Sequence, residues 1–358
     1  MHYLKKIKIA GILSAAGIFV LVVVIAVLSE LGVNNSNESG KKALRRNLKT
    51  LNRSEEFDIP DIAATNVLGD ICNCMTPQGI CVANEYILIT AYCNVENYKD
   101  DLEANDHVEE NQTRMMSEVN HHRHNSVVYI LEKDSKEHVS TLVFDDRSHV
   151  GGITFDGEYI WVAKGGNCMI EAYSYSEMEK HILDDMSSCK LPKPVYEFKC
   201  EYTTSFITYH NDSLWVGTFN SDPKLNGVLT QYCISHERGV QCLQSNKVIF
   251  IPPHANGATF VDVNDETYLA ITTSYGRNND SSLYFYSVSD TLDKYIYYRE
   301  YKVLTLPPMA EEICLDGDNI YFLFESAATA YSNVEDNKCE NIVNTVRIDN
   351  AKELLYTR

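Results

Sequence analysis

Positive charge is scarce in this chain: 31 Lys and Arg stand against 50 Asp and Glu in 358 residues, a formal charge of −19. That deficit argues against nucleic acid as the main partner, because phosphate binding needs clustered Lys and Arg. Catalytic signatures are missing as well. There is no Gly-x-Ser-x-Gly elbow, no Walker or Rossmann glycine pattern, no His-Glu-x-x-His and no Cys-x-x-Cys pair, so no motif announces an activity. Cysteine is absent before Cys72 and then occurs 11 times, a density that suits an oxidising compartment. Apolar content is ample: 44% hydrophobic residues and 10% aromatics exclude a disordered chain and suffice for a packed core.

One apolar run is long. Ile9–Leu28 contains no charge in 20 residues and follows Lys5, Lys6 and Lys8; at about 1.5 Å per residue it spans a hydrocarbon core of roughly 30 Å. The basic flank is expected to stay in the cytoplasm. The resulting layout is a tail at 1–8, a transmembrane signal anchor at 9–28, a polar stalk at 29–56 and an extracytoplasmic domain at 57–358, hence a single-pass protein of the cell membrane. Lys41, Lys42, Arg45, Arg46 and Lys49 lie on the far side, but behind the polar stretch Asn34–Gly40. A cleaved signal peptide is the alternative; Val27-Leu28-Ser29 is a poor cleavage site and the run is longer than such peptides use.

The remainder repeats. QGICVANEYILIT from Gln78, GGITFDGEYIWVA from Gly151, SFITYHNDSLWVG from Ser205, NGATFVDVNDETYLAIT from Asn256 and EEICLDGDNIYFLF from Glu311 share one pattern. Each has a small or polar pair, a β-rich run, a tight turn and a strongly apolar β-rich run. The second-position residues Gly79, Gly152, Phe206, Gly257 and Glu312 recur at intervals of 73, 54, 51 and 55. Asp156-Gly157, Asp316-Gly317 and Asn211-Asp212 read as type I′ hairpin turns. Third β-rich stretches follow at 126–132, 169–174, 227–234, 282–288 and 344–348, and weaker fourth ones at 138–144, 195–199, 247–251 and 298–306. Four antiparallel strands in each unit of about 50 residues define an all-β fold, a β-propeller. Five blades are expected, or six with a degenerate one. Residues 57–68 are placed to supply the missing fourth strand of the last unit and so close the ring.

These repeats, HVGGITFDGEYIWVA above all, resemble those of NHL- and gluconolactonase-type propellers. The region from about Gly69 to Glu325 is similar to anchored or secreted propeller proteins of anaerobic Gram-positive bacteria whose activity is undefined. Gluconolactonase-like enzymes hold a divalent metal with Glu, Asn and Asp on inner strands; no such set aligns residue by residue here.

In a propeller, the segments entering the innermost strands and the loops leaving the second strands share one face. That geometry gathers Gln78, Tyr92, His149, Asn167, Asn220, His254, Asn256, Tyr275, Arg277, Glu311, Glu312 and Glu325 as candidate ligand-binding residues. His149 and His254 hold the same repeat position and, with Glu311, form a candidate site for a divalent metal. The bland reading is that Glu311 and Glu312 bond backbone amides of a neighbouring blade, and that Arg277 pairs with Glu312 or Glu325. A polar insert at 94–125 hangs over the same face; it carries Asp100, Asp101, Glu103, Asp106, Glu109 and Glu110 with His107, His121, His122 and His124 in no fixed ligand spacing and reads as a solvated lid. The cysteines read as disulfide staples, with Cys72, Cys74, Cys81 and Cys93 crowding the first blade and Cys233 and Cys242 flanking a turn.

Two functions remain in view. One is a cell-surface module that binds a glycan, peptide or protein, a role that the 23 tyrosines would suit. The other is a metal-assisted hydrolase or lyase of the gluconolactonase-like type, working at the channel mouth.

Overall fold

The computed structural model describes residues 56–57, 65–67, 70–72, 74–94, 124–183, 188–237, 240–263, 266–288, 298–331, 339 and 341–347, all within the compact unit Arg53–Arg358. The expected tail, anchor and nearly all of the stalk lie outside these residues, as does most of the insert. No helix among the described residues is long and apolar enough to cross a membrane.

A short pair, β2 (Thr65–Val67) and β3 (Asp70–Cys72), follows the edge strand β1 (Glu56–Phe57) and leads into the blades. Blade 1 holds β4 (Met75–Ala83), β5 (Tyr86–Cys93), β6 (Val127–Glu132) and β7 (His138–Val143). Blade 2 holds β8 (Gly152–Phe155), β9 (Tyr159–Ala163), β10 (Met169–Ser174) and, after helix α1 (Tyr175–Leu183) and β11 (Ser188–Lys190), the outer strand β12 (Tyr196–Lys199). Blade 3 comprises β13 (Phe206–His210), β14 (Ser213–Gly217), β15 (Gly227–Glu237) and β16 (Val240–Ile251). Blade 4 comprises β17 (Ala255–Val263), β18 (Glu266–Thr273), β19 (Ser281–Val288) and β20 (Tyr298–Leu306). Blade 5 has β21 (Ala310–Asp316), β22 (Asn319–Phe324) and β23 (Val343–Arg347).

The fold is therefore an all-β, five-bladed propeller, and no sixth blade has a place. The inner strands neighbour one another in the closed order β4, β8, β13, β17, β21 and back to β4. Hydrogen bonding between an N-terminal and a C-terminal strand also closes the ring, because β1 supplies the fourth strand of blade 5: Glu56 pairs with Asn344 and Phe57 with Val343. The pairing begins one residue before the expected boundary.

The continuous apolar runs follow from burial on both faces of each blade. On β5, Ile87, Ile89 and Ala91 pack with Leu323 and Val343 of blade 5, while the intervening Leu88 packs with Ile153, Ile160 and Val162 of blade 2. Alternate residues thus enter alternate inter-blade cores, which a period of two allows without a polar face.

Several local expectations are corrected. Asn211 and Asp212 both take positive φ (47° and 55°), as a type I′ turn requires. In the Asp-Gly turns only the glycine does, Gly157 at 102° and Gly317 at 55°, because the aspartate precedes the two central residues. Asp156 instead accepts hydrogen bonds from the Glu158 and Tyr159 amides and from the Trp161 indole (2.8, 2.6 and 2.7 Å). Helix α1 and the parallel pairing of β11 with β7 were not foreseen; Tyr175, Met178 and Ile182 turn one helical face into the core between blades 1 and 2. No disulfide joins Cys72, Cys74, Cys81, Cys93, Cys168, Cys200, Cys233, Cys314 or Cys339. Register explains the pair expected at the blade 3 turn: Cys233 lies opposite Gln244, and Cys242 opposite Ser235, a diagonal offset that disulfide geometry disfavours.

Candidate functional site

The mouth of the channel is built by bulges. An extra residue interrupts the pairing of three inner strands, at Gln78 between Pro77 and Gly79, at Asn256 between Ala255 and Gly257, and at Glu311-Glu312 between Ala310 and Ile313. A bulge re-aims the side chain it carries. Here it occurs at the repeat's leading polar pair and brings these side chains together at one mouth.

Glu312 reaches the axis. Its Oε2 accepts the amides of Ile80 and Ile153 (both 2.9 Å) and its Oε1 accepts the amide of Ile207 (3.1 Å). One carboxylate of blade 5 thus ties the inner strands of blades 1, 2 and 3, and it is 1% exposed. Burial pushes its carboxyl well above the ordinary range, against the pull of the three amides. A Cβ on Gly79 or Gly152 would lie 2.9 or 2.6 Å from a Glu312 carboxylate oxygen, so the repeated glycines leave the space that this side chain fills. The bland reading of Glu312 as an amide binder is the observed one, extended from one neighbouring blade to three.

Glu311 and Glu325 form a second, distinct unit. Both are buried and hydrogen-bond each other. Burial and then the Glu325 charge hold the Glu311 carboxyl well above its usual range. Burial raises Glu325 to about 7, opposed by hydrogen bonds from Tyr331, Glu311 and Gln78 and by the Arg277 charge. The pair therefore retains protons above the usual carboxylate range. The Tyr331 hydroxyl donates to Glu325 Oε1 (2.8 Å) and accepts from Asn94 Nδ2 (3.1 Å); Asn256 Nδ2 donates to Glu311 Oε1 (3.2 Å); the Arg277 guanidinium lies 5.2 Å from the Tyr331 ring centre. Such a cluster can hold polar groups of a ligand and can take up or release a proton near neutrality.

The pair has a sign in pH. The folded state holds protons on Glu325 between the reference value of 4.5 and about 7, where the unfolded chain has released them. Folding stability therefore falls as pH rises through that window. Melting temperatures measured from pH 4.5 to 7.5 should show a smaller decline for Glu325→Gln than for the parent chain; an identical decline would remove the pair as its source.

The other candidates divide. Tyr92 meets His149 at a tilt (centroids 4.5 Å, 52°), whereas Tyr275 stacks nearly flat on His254 (4.3 Å, 10°). His254 Nε2 also meets the Ser221 carbonyl (3.0 Å). Asn220 closes its own loop, accepting the Asp222 amide at Oδ1 (3.1 Å) and the His254 amide at its carbonyl (3.0 Å). Asn167 is exposed in the loop after β9. In that loop Lys164 is buried, bridging Asp146 (3.0 Å) and Glu171 (3.2 Å). The expected metal set His149, His254 and Glu311 is not gathered. Equivalent positions in blades 2 and 4 lie on a ring about the axis, so sharing a repeat position separates them rather than joining them.

Among the described residues, the group whose metal-ligating atoms all lie within 4.8 Å of one another is Cys72, Cys93 and His124. Sequence reasoning had placed these cysteines in the first blade without linking them to His124. It also passed over Tyr331, which sits in a 3-10 turn, Thr329–Tyr331, outside the repeated strands.

Fold and site together define a five-bladed propeller with a carboxylate-plugged axis and a polar, proton-holding mouth. No family model matches the chain, and no curated protein matches it. Among solved structures, it is similar to the glutaminyl cyclase of Myxococcus xanthus (11% identity, 75% of this chain and 88% of that one, TM-score 0.39). It is also similar to a chain of a nidogen/laminin complex (13%, 70% and 73%, TM-score 0.35) and to Kuenenia stuttgartiensis hydrazine synthase (9%, 73% and 68%, TM-score 0.35). Likeness at this level carries nothing about function, and the fold stands on the strand order itself.

Proposed function

We propose that this propeller is a binding module, held to the outer face of the cell membrane by residues 9–28, that takes a glycan on the mouth face. The observation that carries this reading is the Tyr275–His254 stack. Tyr275 is 52% exposed although one face of its ring is covered by His254. A rigid aromatic plate with an open face suits the apolar face of a sugar ring. Arg277, two residues further on, extends toward the Glu325–Tyr331 cluster, where hydroxyl groups would find donors and acceptors. The acidic charge and the anchor agree with a surface location, and the NHL- and gluconolactonase-like repeats agree with a mouth-face ligand. A metal-assisted hydrolase or lyase fits less well, because His149, His254 and Glu311 have separate partners.

The full-length chain in detergent, assayed against immobilised cell-envelope glycans, should bind, and Tyr275→Ala should weaken that binding about tenfold, the scale of one lost aromatic stack. Unchanged binding in Tyr275→Ala, or no glycan bound by the parent chain, rejects the reading. Protease added to intact cells should cleave the propeller domain; full protection would reject the outward orientation.

A further inference from the structure

Three ligand-bearing positions meet where the chain enters blade 1. Cys72 closes β3, Cys93 closes β5, and His124 lies at the far end of the insert, just before β6. The Cys72 and Cys93 sulfurs are 3.6 Å apart, and Cys93 Sγ is 3.9 Å from His124 Nδ1. All three donor atoms lie within 4.8 Å of one another, and the Cys74 thiol hydrogen-bonds both Cys72 and Cys93. Cys72, Cys74 and Cys93 are 1, 5 and 2% exposed.

We propose that Cys72, Cys93 and His124 bind one Zn2+ ion, with the Cys74 thiol, which bonds both cysteines but stands outside that three-residue group, turning in as the fourth ligand. Tetrahedral zinc with Zn–S near 2.3 Å and Zn–N near 2.0–2.1 Å sets its sulfurs about 3.8 Å apart and sulfur from nitrogen about 3.6 Å. The observed separations bracket those values, and the sulfur pair is far from the roughly 2.05 Å of a disulfide bond. Three thiolates and an imidazole form a borderline-soft set that favours zinc over calcium or magnesium. The spacing, Cys-x-Cys, then 18 residues, Cys, then 30 residues, His, spreads the ligands over three segments. The ion would fasten the strand pair before the propeller to blade 1 and tie together the two ends of the insert, at Cys93 and His124. Binding displaces thiol protons to solvent as the three sulfurs ligate, so no redox partner enters.

The full-length chain, purified without chelator from zinc-supplemented cells, should carry about one zinc per molecule by elemental analysis. Cys93→Ser and His124→Ala should each lower the retained zinc more than about tenfold, while Cys81→Ser, outside the cluster, retains it. Because Cys93→Ser removes a buried side chain, a second readout uses the half-buried His124. Cobalt loading should give the visible bands of a tetrahedral thiolate site in the parent, and these should be lost in His124→Ala with its far-ultraviolet dichroism unchanged. Zinc content untouched by both variants, a folded parent chain that retains no zinc, or a Cys72–Cys93 disulfide in non-reducing peptide maps would each overturn the proposal.

Discussion

Glu312→Ala is expected to remove most of the stability of the propeller. The substitution deletes the acceptor for three buried amides at once, those of Ile80, Ile153 and Ile207. Each unsatisfied buried donor costs about 1–3 kcal/mol, so the loss is about 3–9 kcal/mol against a typical total of about 5–15 kcal/mol. At roughly 2–4 °C per kcal/mol for domains of this size class, the melting temperature should fall by about 10 °C or more, or the chain should not fold. Glu312→Gln keeps one carbonyl oxygen but turns an NH2 group toward an amide, so it should lie between the parent and Glu312→Ala. Thermal unfolding followed by circular dichroism decides the order. A Glu312→Ala chain as stable as the parent would mean that the three amides have other partners.

This hub shows which parts of the molecule the sequence could reveal. The blades were legible because burial on both faces forces apolar runs, and two such runs around a tight turn repeat with little change. The bounds of β10 and β20 agree to the residue with the expected stretches at 169–174 and 298–306. Alignment also placed Glu312 at the position of Gly79, Gly152 and Gly257. It could not show that the equivalence is complementary, with a single carboxylate occupying room that glycines vacate, because that relation exists only after the ring closes. The same blindness produced the His149–His254 error: repeat position gives an angle about the axis, whereas a metal site needs a shared point. Gln78, Asn256, Arg277, Glu311 and Glu325 do converge, since bulges and short loops carry them inward. Tyr331 and the Cys72–Cys93–His124 cluster stayed hidden for another reason. Their partners come from non-repeating segments, and no periodicity relates residues separated by an insert.

Gly152→Ala should damage the same hub, by the opposite route of adding an atom. A Cβ there would lie 2.6 Å from Glu312 Oε1, 2.7 Å from the Ile207 amide nitrogen and 2.7 Å from the Phe206 Cα. The carboxylate is held by three hydrogen bonds and the other two atoms are backbone of the next blade's inner strand, so none can move without shifting β13. Overpacking a rigid core costs about 1–3 kcal/mol and occasionally more; with two backbone clashes the upper end, about 3 kcal/mol, is expected. Gly157→Ala supplies the comparison. Its Cβ would meet nothing within 4 Å, and only its φ of +102° is unfavourable, a backbone strain of about 1–3 kcal/mol with no second blade involved. Combining Gly152→Ala with Glu312→Ala should cost less than the two separate losses, because residues in contact are coupled and removing the carboxylate relieves one of the three clashes. Strict additivity in denaturant unfolding would show that Gly152 and Glu312 do not share the axis. Coupling would establish that the Gly152 backbone and the Glu312 side chain fill one shared space between blades.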